Sequence, residues 1–137
     1  MVYTRGYPHD YDGWRDDGCE GWGFEDVLPW FKRSEANERG ASQWHGADGP
    51  LQVTRGRSSL EICERIVQAA RQAGYPTVED FAVPGAEGFG FYDFTISPAG
   101  RRVSTSAAFL RRGGAGPVVV SGAQVHSVEI ENGRACG

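Results

Sequence analysis

The sequence predicts a mixed α/β chain of the α+β type, in which helices and short strands share one core. Apolar residues recur at helical spacing over residues 59–73, whereas residues 51–54 and 89–96 are short runs typical of strands. An Asn-Gly pair at 132–133 is a strong hairpin signal. The chain has 137 residues, of which 39% are hydrophobic, so it can bury a core and fits one domain or part of one.

The first third of the chain is predicted to contain one helix between irregular segments. Residues 1–23 are rich in Tyr, Trp, Gly and Asp and are expected to be extended and loop-rich. Residues 25–35 predict a helix, with acidic residues in its first turn and basic residues near its end, which suits the helix dipole. Pro29 fits only the first turn of a helix, so the start is left open by a few residues. Residues 37–50 predict a polar loop.

The helix over residues 59–73 has the clearest signals at its ends. Ser58 and Glu61 have the spacing of a capping box, and Gly74 followed by Pro76 predicts the stop. Its apolar face is formed by Leu60, Cys63, Ile66, Val67 and Ala70.

The last third predicts strands around one short helix. Residues 89–96 indicate a strand and residues 104–110 a short helix. Residues 118–120 form a short apolar run, as in a buried strand, and residues 125–130 alternate as a second strand. The turn at 132–133 should lead into a further strand, where the sequence stops.

Composition excludes several classes of function. A net charge of −4 with scattered arginines gives no basic surface for nucleic acid. No run approaches the roughly 18 apolar residues of a membrane helix, and the first ten residues do not form a signal peptide. Cys19, Cys63 and Cys136 lack metal or disulfide spacing, so no metal site is predicted and a cytoplasmic location is expected.

Two glycine-containing segments begin like ligand-binding motifs and then depart from them. Residues 10–13 begin like a calcium loop, but Arg15 and Gly21 occupy the positions that need Gly and Glu, so a solvated turn is predicted. Residues 88–90 begin like a dinucleotide loop, but Asp93 replaces the third Gly and a strand follows.

No catalytic residue is predicted from the motifs. His9, His45 and His126 have no obvious nucleophile partner, and G-x-S-x-G is absent. His45 lies in a loop by composition, so a structural or surface role is expected. The Gly-rich residues 113–116 precede a strand rather than a helix and are interpreted as a turn.

Aromatic residues are dense near the start of the chain, where they could line a pocket for a flat cofactor or a sugar, or could form the core. The general burial of aromatic side chains favours the core. They are Tyr3, Tyr7, Tyr11, Trp14, Trp22, Phe24, Trp30 and Phe31.

The order of short motifs adds a family resemblance that covers essentially the whole chain. They include Met-Val-Tyr-Thr-Arg-Gly at 1–6, Asp-Val-Leu-Pro-Trp-Phe at 26–31, His-Gly-Ala-Asp-Gly-Pro-Leu at 45–51 and Ala-Ala-Phe-Leu at 107–110. In this order and spacing they resemble the middle of the glucose-methanol-choline (GMC) oxidoreductases, nearest the choline dehydrogenase-like branch.

The resemblance implies an FAD-dependent enzyme that oxidises the CH–OH group of a small alcohol. It implies that residues 1–137 are an internal fragment of the FAD-binding region with part of the substrate domain, without a complete domain boundary. The family's phosphate-binding loop and catalytic His region are not present, so the chain is expected to be inactive alone. Two cofactor contacts carry over by position, Val2 beside the isoalloxazine and the backbone of Val125 at the adenine. Residues 111–117 depart from the family pattern, which often carries Pro and Asn-Leu before the strand.

The alternative hypothesis is a small stand-alone α+β binding module with an aromatic pocket and no catalysis. The in-frame sequence upstream of Met1 would distinguish the two hypotheses. A G-x-G-x-x-G loop followed by Gly-Gly-Ser-Ser would favour the enzyme.

Overall fold

The computed structural model describes residues 1–57, 60–110 and 117–137. Within them, helices and short two-stranded sheets alternate, which confirms the mixed α/β prediction. The helices are α1 (Pro8–Asp16), α2 (Phe24–Ser34), α3 (Glu61–Gln72) and a π-helix (Ser106–Leu110). The strands are β1 (Val2–Tyr3), β2 (Glu35–Asn37), β3 (Leu51–Val53), β4 (Thr77–Val78), β5 (Phe89–Gly90), β6 (Asp93–Phe94), β7 (Ile130–Glu131) and β8 (Arg134–Ala135).

The strands pair two by two. β1 pairs antiparallel with β6, and β7 pairs antiparallel with β8. β2 pairs parallel with β3, and β4 pairs parallel with β5. These pairings bring the start of the chain beside residues 93–94, far along the sequence.

Helix α1 corrects the prediction that residues 1–23 are extended. Pro8 occupies the first turn of the helix, where its missing N–H costs nothing. The Asp10 carboxylate accepts a hydrogen bond of 2.7 Å from the Tyr7 N–H, which caps the helix. Residues 10–13 therefore lie in a helix and not in a solvated turn. Pro8 followed by Asp10 is a helix-start signal, although the Tyr, Trp, Gly and Asp content of the segment indicates a loop.

Helix α2 confirms the helix predicted over residues 25–35 to within one residue at each end. The Asp26 carboxylate accepts from the Gly23 N–H at 3.1 Å, so the helix begins at Phe24. Pro29 is the sixth residue of the helix, so the expectation that it lies within the first turn is wrong. A proline at this position leaves the Glu25 carbonyl without its usual helical donor.

The two N-terminal helices enclose the main apolar cluster. Tyr11, Phe24 and Leu28 are buried, and Val27, Phe31 and Trp44 pack against them. The Tyr11 ring lies edge-on to the Phe31 ring, with centroids 5.8 Å apart. Several of the N-terminal aromatic residues are therefore part of the core, as the general burial of aromatic side chains predicts.

Helix α3 begins two residues later than predicted and ends within one residue of the predicted end. Residue 60 is extended, so the helix starts at Glu61, and Ser58 of the expected capping box lies outside the described residues. At the other end Gly74 has φ +85, and the Tyr75 N–H donates to the Ala70 carbonyl at 3.0 Å. This bond is typical of a glycine-terminated helix.

The predicted strand over 89–96 is divided in the structure. β5 and β6 use different partners, since one pairs with β4 and the other with β1. The helix predicted over 104–110 is present, as a π-helix.

The C-terminal segment corrects two further strand predictions. Val118, Val119 and Val120 are irregular and 91%, 73% and 73% exposed, so no buried strand forms there. Of residues 125–130, only Ile130 enters a strand. A strand needs a partner for its backbone N–H and C=O groups, and no described strand lies beside these residues. Residues 113–116, interpreted as a turn, lie outside the described residues.

The predicted hairpin turn is confirmed. Asn132 has φ +49 and Gly133 has φ +76, the pair of positive values that a type I′ turn requires. The strand expected after the turn is β8.

Candidate functional site

Six charged side chains form a connected group, here called the ionic cluster. It joins the end of β1, both ends of β2, the loop before β3, the loop after β4 and β6. Four members have at most 8% of their surface exposed, although charged groups are rarely buried without partners. The members are Arg5, Glu35, Arg39, His45, Asp80 and Asp93.

Glu35 lies at the centre of the ionic cluster and is fully buried. Its Oε1 accepts from Arg5 Nη2 at 2.6 Å. The same oxygen accepts from His45 Nδ1 at 2.9 Å and from the Gly46 N–H at 3.0 Å. Burial by itself would raise the pKa of Glu35, but the hydrogen bond from His45 and the charge of Arg5 outweigh it and lower the pKa. Glu35 is therefore ionised at neutral pH.

His45 bridges two carboxylates. Its Nδ1–H donates to Glu35, and its Nε2–H donates to Asp80 Oδ2 at 2.7 Å. Burial acts to lower the pKa of His45, but the hydrogen bonds to Asp80 and Glu35 raise it to about 9. The ring is a buried imidazolium at neutral pH, so it has no lone pair with which to act as a base.

Arg39 closes the other side of the ionic cluster. It forms a two-bond pair with Asp93, from Nε at 3.1 Å and from Nη2 at 2.9 Å. Its Nε also lies 3.7 Å from Asp80 Oδ2, and its Nη2 donates to the Glu79 carbonyl. With Arg5 and His45 as the other cations, the three positive charges of the cluster balance its three carboxylates. The cluster thus connects the segment after β1 with β6, and loss of any one partner would leave a buried charge uncompensated.

Three buried polar atoms, two of them within the ionic cluster, have no hydrogen-bond partner among the described residues. They are Tyr3 Oη, Arg5 Nε and Glu35 Oε2. Burial, and next the negative charge of Glu35, raise the pKa of Tyr3 to about 12. Tyr3 therefore stays a neutral phenol at physiological pH.

An aromatic groove is formed by α1, α2 and the segment between them. It has a volume of about 720 Å³ and is lined mainly by Tyr11, Trp14, Trp22, Val27, Trp30 and Phe31. Trp14, Trp22 and Trp30 are 49%, 55% and 65% exposed. The N-terminal aromatic residues therefore form core as well as groove, and Tyr11 and Phe31 contribute to both.

The two residues assigned to the cofactor lie on separate elements. Val2 belongs to β1, pairs with Phe94 and is 52% exposed. Val125 lies in an irregular segment and is 78% exposed. No described strand pairing joins them. No described hydrogen bond uses the Val125 main chain, so its N–H and C=O are available to a ligand. Val2 offers apolar side-chain surface and Val125 offers a main-chain donor and acceptor, and their contacts with a flavin stay a prediction.

Comparison with known proteins decides the family. The family model described as GMC oxidoreductase matches residues 1–137. The chain belongs to the GMC oxidoreductases. The resemblance found in the motif order is thereby confirmed.

Two GMC relatives define the likeness more closely. Oxygen-dependent choline dehydrogenase from Rhizobium etli is 42% identical over 141 aligned residues, which cover 100% of this chain and 25% of the relative. Mitochondrial choline dehydrogenase from Mus musculus is 44% identical over 110 residues, which cover 80% of this chain and 18% of the relative. The chain thus spans about a quarter or less of these relatives.

Solved structures agree with this fold. Pyridoxine 4-oxidase from Mesorbium loti aligns with a TM-score of 0.73 at 28% identity, over 82% of this chain and 22% of that chain. An FAD-dependent oxidoreductase from Chaetomium thermophilum aligns with a TM-score of 0.60 at 26% identity, over 72% of this chain and 19% of that chain. In the described part of the GMC chain, no helix has both the length and the hydropathy to cross a membrane.

Sequence reasoning missed the ionic cluster. Of the two roles that the sequence predicts for His45, structural or on the surface, its 2% exposure excludes the second. Glu35 was assigned only to the end of a helix. Charged residues that flank short apolar runs were the only sequence feature pointing to the cluster. The sequence does not show which of them pair, because partners lie up to 54 positions apart.

Proposed function

We propose that this chain is part of an FAD-dependent oxidoreductase that oxidises the CH–OH group of a small alcohol, in the manner of choline dehydrogenase. The observation that carries the proposal is the 42% identity to the Rhizobium etli choline dehydrogenase across the full length of this chain. When bound, FAD supplies the ring that takes two electrons from the alcohol. Membership of the GMC family favours this function over a stand-alone binding module.

Within that enzyme, residues 1–137 belong to the FAD-binding region together with part of the substrate domain. Val2 presents apolar surface from β1 to the flavin ring, and the Val125 main chain binds the adenine edge. Two members of the ionic cluster lie close to β1, because Arg5 is two residues beyond its end and Asp93 lies in its partner strand β6. The ionic cluster therefore lies beside the strand that carries Val2.

The chain by itself is proposed not to oxidise alcohols. Removing the hydroxyl proton of an alcohol needs a base within reach. His45 is protonated and buried, so it is unsuitable. The cytoplasmic location stays a prediction, and the mouse and human relatives are named as mitochondrial.

The test is a segment exchange. Residues 1–137 replace the matching segment of the Rhizobium etli choline dehydrogenase, and bound FAD and choline oxidation are measured. Retained flavin and retained turnover support the proposal. A folded hybrid without flavin contradicts it. Choline oxidation by the isolated chain with added FAD and an electron-accepting dye, above a heat-treated control, would overturn the proposed inactivity.

A further inference from the structure

Three arginine side chains line a small cavity whose lining includes neither Val2 nor Val125. It is enclosed by α3, β4, β5 and the loop after β3, and has a volume of about 230 Å³. The charged side chains that line it are Arg39, Arg55, Arg71 and Glu79. We call this cavity the arginine pocket. Its positive excess contrasts with the net charge of −4 of the chain.

Arg71 reaches the arginine pocket from the last turn of α3. A cation is favoured at this end of a helix by the helix dipole. Its Nη2 donates to Thr77 Oγ1 at 3.3 Å, which links it to β4. Among the described residues, no carboxylate lies within ion-pair distance of Arg71. Most of its N–H donors are therefore free for a ligand.

Arg55 lines the pocket from the segment that follows β3. Its backbone N–H donates to Glu38 Oε2 at 2.8 Å, which holds the main chain in place. Its guanidinium has only a loose ion pair, with Nη2 3.6 Å from Glu79 Oε2. The Glu79 side chain is 89% exposed, so solvent screens this pair.

Arg39 forms a third wall but is already neutralised by Asp93 and Asp80. The pocket thus offers two positioned guanidiniums with spare donors and one solvated carboxylate. Guanidinium groups present N–H donors in a planar fork that matches the oxygens of a phosphate. We propose that the arginine pocket binds a phosphate group, either the free ion or the terminal group of a phosphate monoester.

The test is a titration of the intact 137-residue chain followed by ¹H–¹⁵N NMR. Inorganic phosphate is added at pH 7, with sodium chloride adjusted to keep the ionic strength constant. The expected result is a saturating shift of the Arg55 and Arg71 side-chain Nε–H signals. Arg71→Gln should weaken binding about ten-fold, and Arg71→Lys should weaken it less, because lysine keeps the charge and loses the fork.

Arg65 supplies the matched control. It lies on the same helix, pairs with Glu61 at 2.7 Å and does not line the pocket. Arg65→Gln removes the same charge and should leave phosphate binding unchanged. An equal loss in Arg65→Gln, or a shift that never saturates, would overturn the proposal, because either marks a general charge effect.

Glycerol phosphate is titrated in a parallel arm. Tighter binding of glycerol phosphate than of inorganic phosphate identifies an organic monoester as the ligand class. Tighter binding of the inorganic ion supports a free phosphate site. Binding of neither in a folded sample overturns the inference.

Discussion

The buried imidazolium of His45 should make the stability of the chain depend on pH in alkaline solution. The perturbation is His45→Gln, which keeps a polar side chain but removes the charge between Glu35 and Asp80. His45 is 2% exposed, and its ring nitrogens lie 2.9 Å and 2.7 Å from the two carboxylates. These contacts raise its pKa to about 9 from an ordinary value near 6.5.

The size of the effect follows from the difference in pKa. Each unit corresponds to about 1.4 kcal/mol, so protonation of His45 favours the folded state by about 3 kcal/mol. A pKa that is higher in the folded state gives stabilisation that is complete below pH 6.5. This stabilisation is lost as the pH rises through about 9. The same hydrogen bonds from His45 lower the pKa values of Glu35 and Asp80. In acid, the free energy of unfolding therefore falls as these carboxylates are protonated.

The assay is urea unfolding, followed by tryptophan fluorescence, at a series of pH values from 6 to 10. The free energy of unfolding of the parent chain should fall by about 3 kcal/mol across this range, and that of His45→Gln should stay nearly flat. His126 is exposed, so His126→Gln serves as the control and should keep the parent slope. Should His45→Gln fail to fold, Asp80→Asn leaves the Glu35 contact in place and should show a reduced slope.

Equal slopes for the parent and His45→Gln would refute this account. They would mean that the ring is neutral in the folded state, or that its charge is equally stable after unfolding.

Three further predictions concern the fold and the proposed cofactor contact. Gly46→Ala should lower the melting temperature strongly, because the new Cβ would overlap the Lys32 carbonyl, whereas Gly13→Ala, in open space inside α1, should raise stability by about 0.5–1 kcal/mol; calorimetry compares the two. Tyr3→Phe should leave the unfolding midpoint unchanged or raise it, because the buried hydroxyl has no described partner, and a loss above about 1 kcal/mol in urea would show a hidden hydrogen bond. In the segment-exchange enzyme, Val125→Pro should weaken FAD binding by about 1–3 kcal/mol while Val125→Ala leaves it nearly unchanged, as measured by flavin release; equal losses would make Val125 a packing residue.

The sequence predicted best those elements that depend on neighbouring residues. Helix α2 follows its own charge pattern, and the end of α3 follows Gly74, whose φ of +85 suits glycine. The type I′ turn at Asn132 and Gly133 is specified by two residues alone. The order of motifs along the chain predicted the GMC family, because that order survives many substitutions between relatives.

Local pattern failed where an element needs a distant partner. The run over 89–96 has one continuous strand pattern, but its two halves pair with β4 and β1, so the strand is broken. The valines at 118–120 have the composition of a buried strand, yet they are exposed. No described strand pairs with them. Strand formation depends on a neighbouring backbone that a short window of sequence does not contain.

By itself, then, the sequence determined the family, the mixed α/β class and the elements capped by their own residues. The tertiary structure alone decided the ionic cluster, in which Arg5 meets Glu35 across 30 positions and Arg39 meets Asp93 across 54. It also decided that His45 is charged, since this requires two carboxylates at hydrogen-bond distance. The physical reason is that Coulomb energy and burial depend on separation in space, and the chain sets that separation only when it folds.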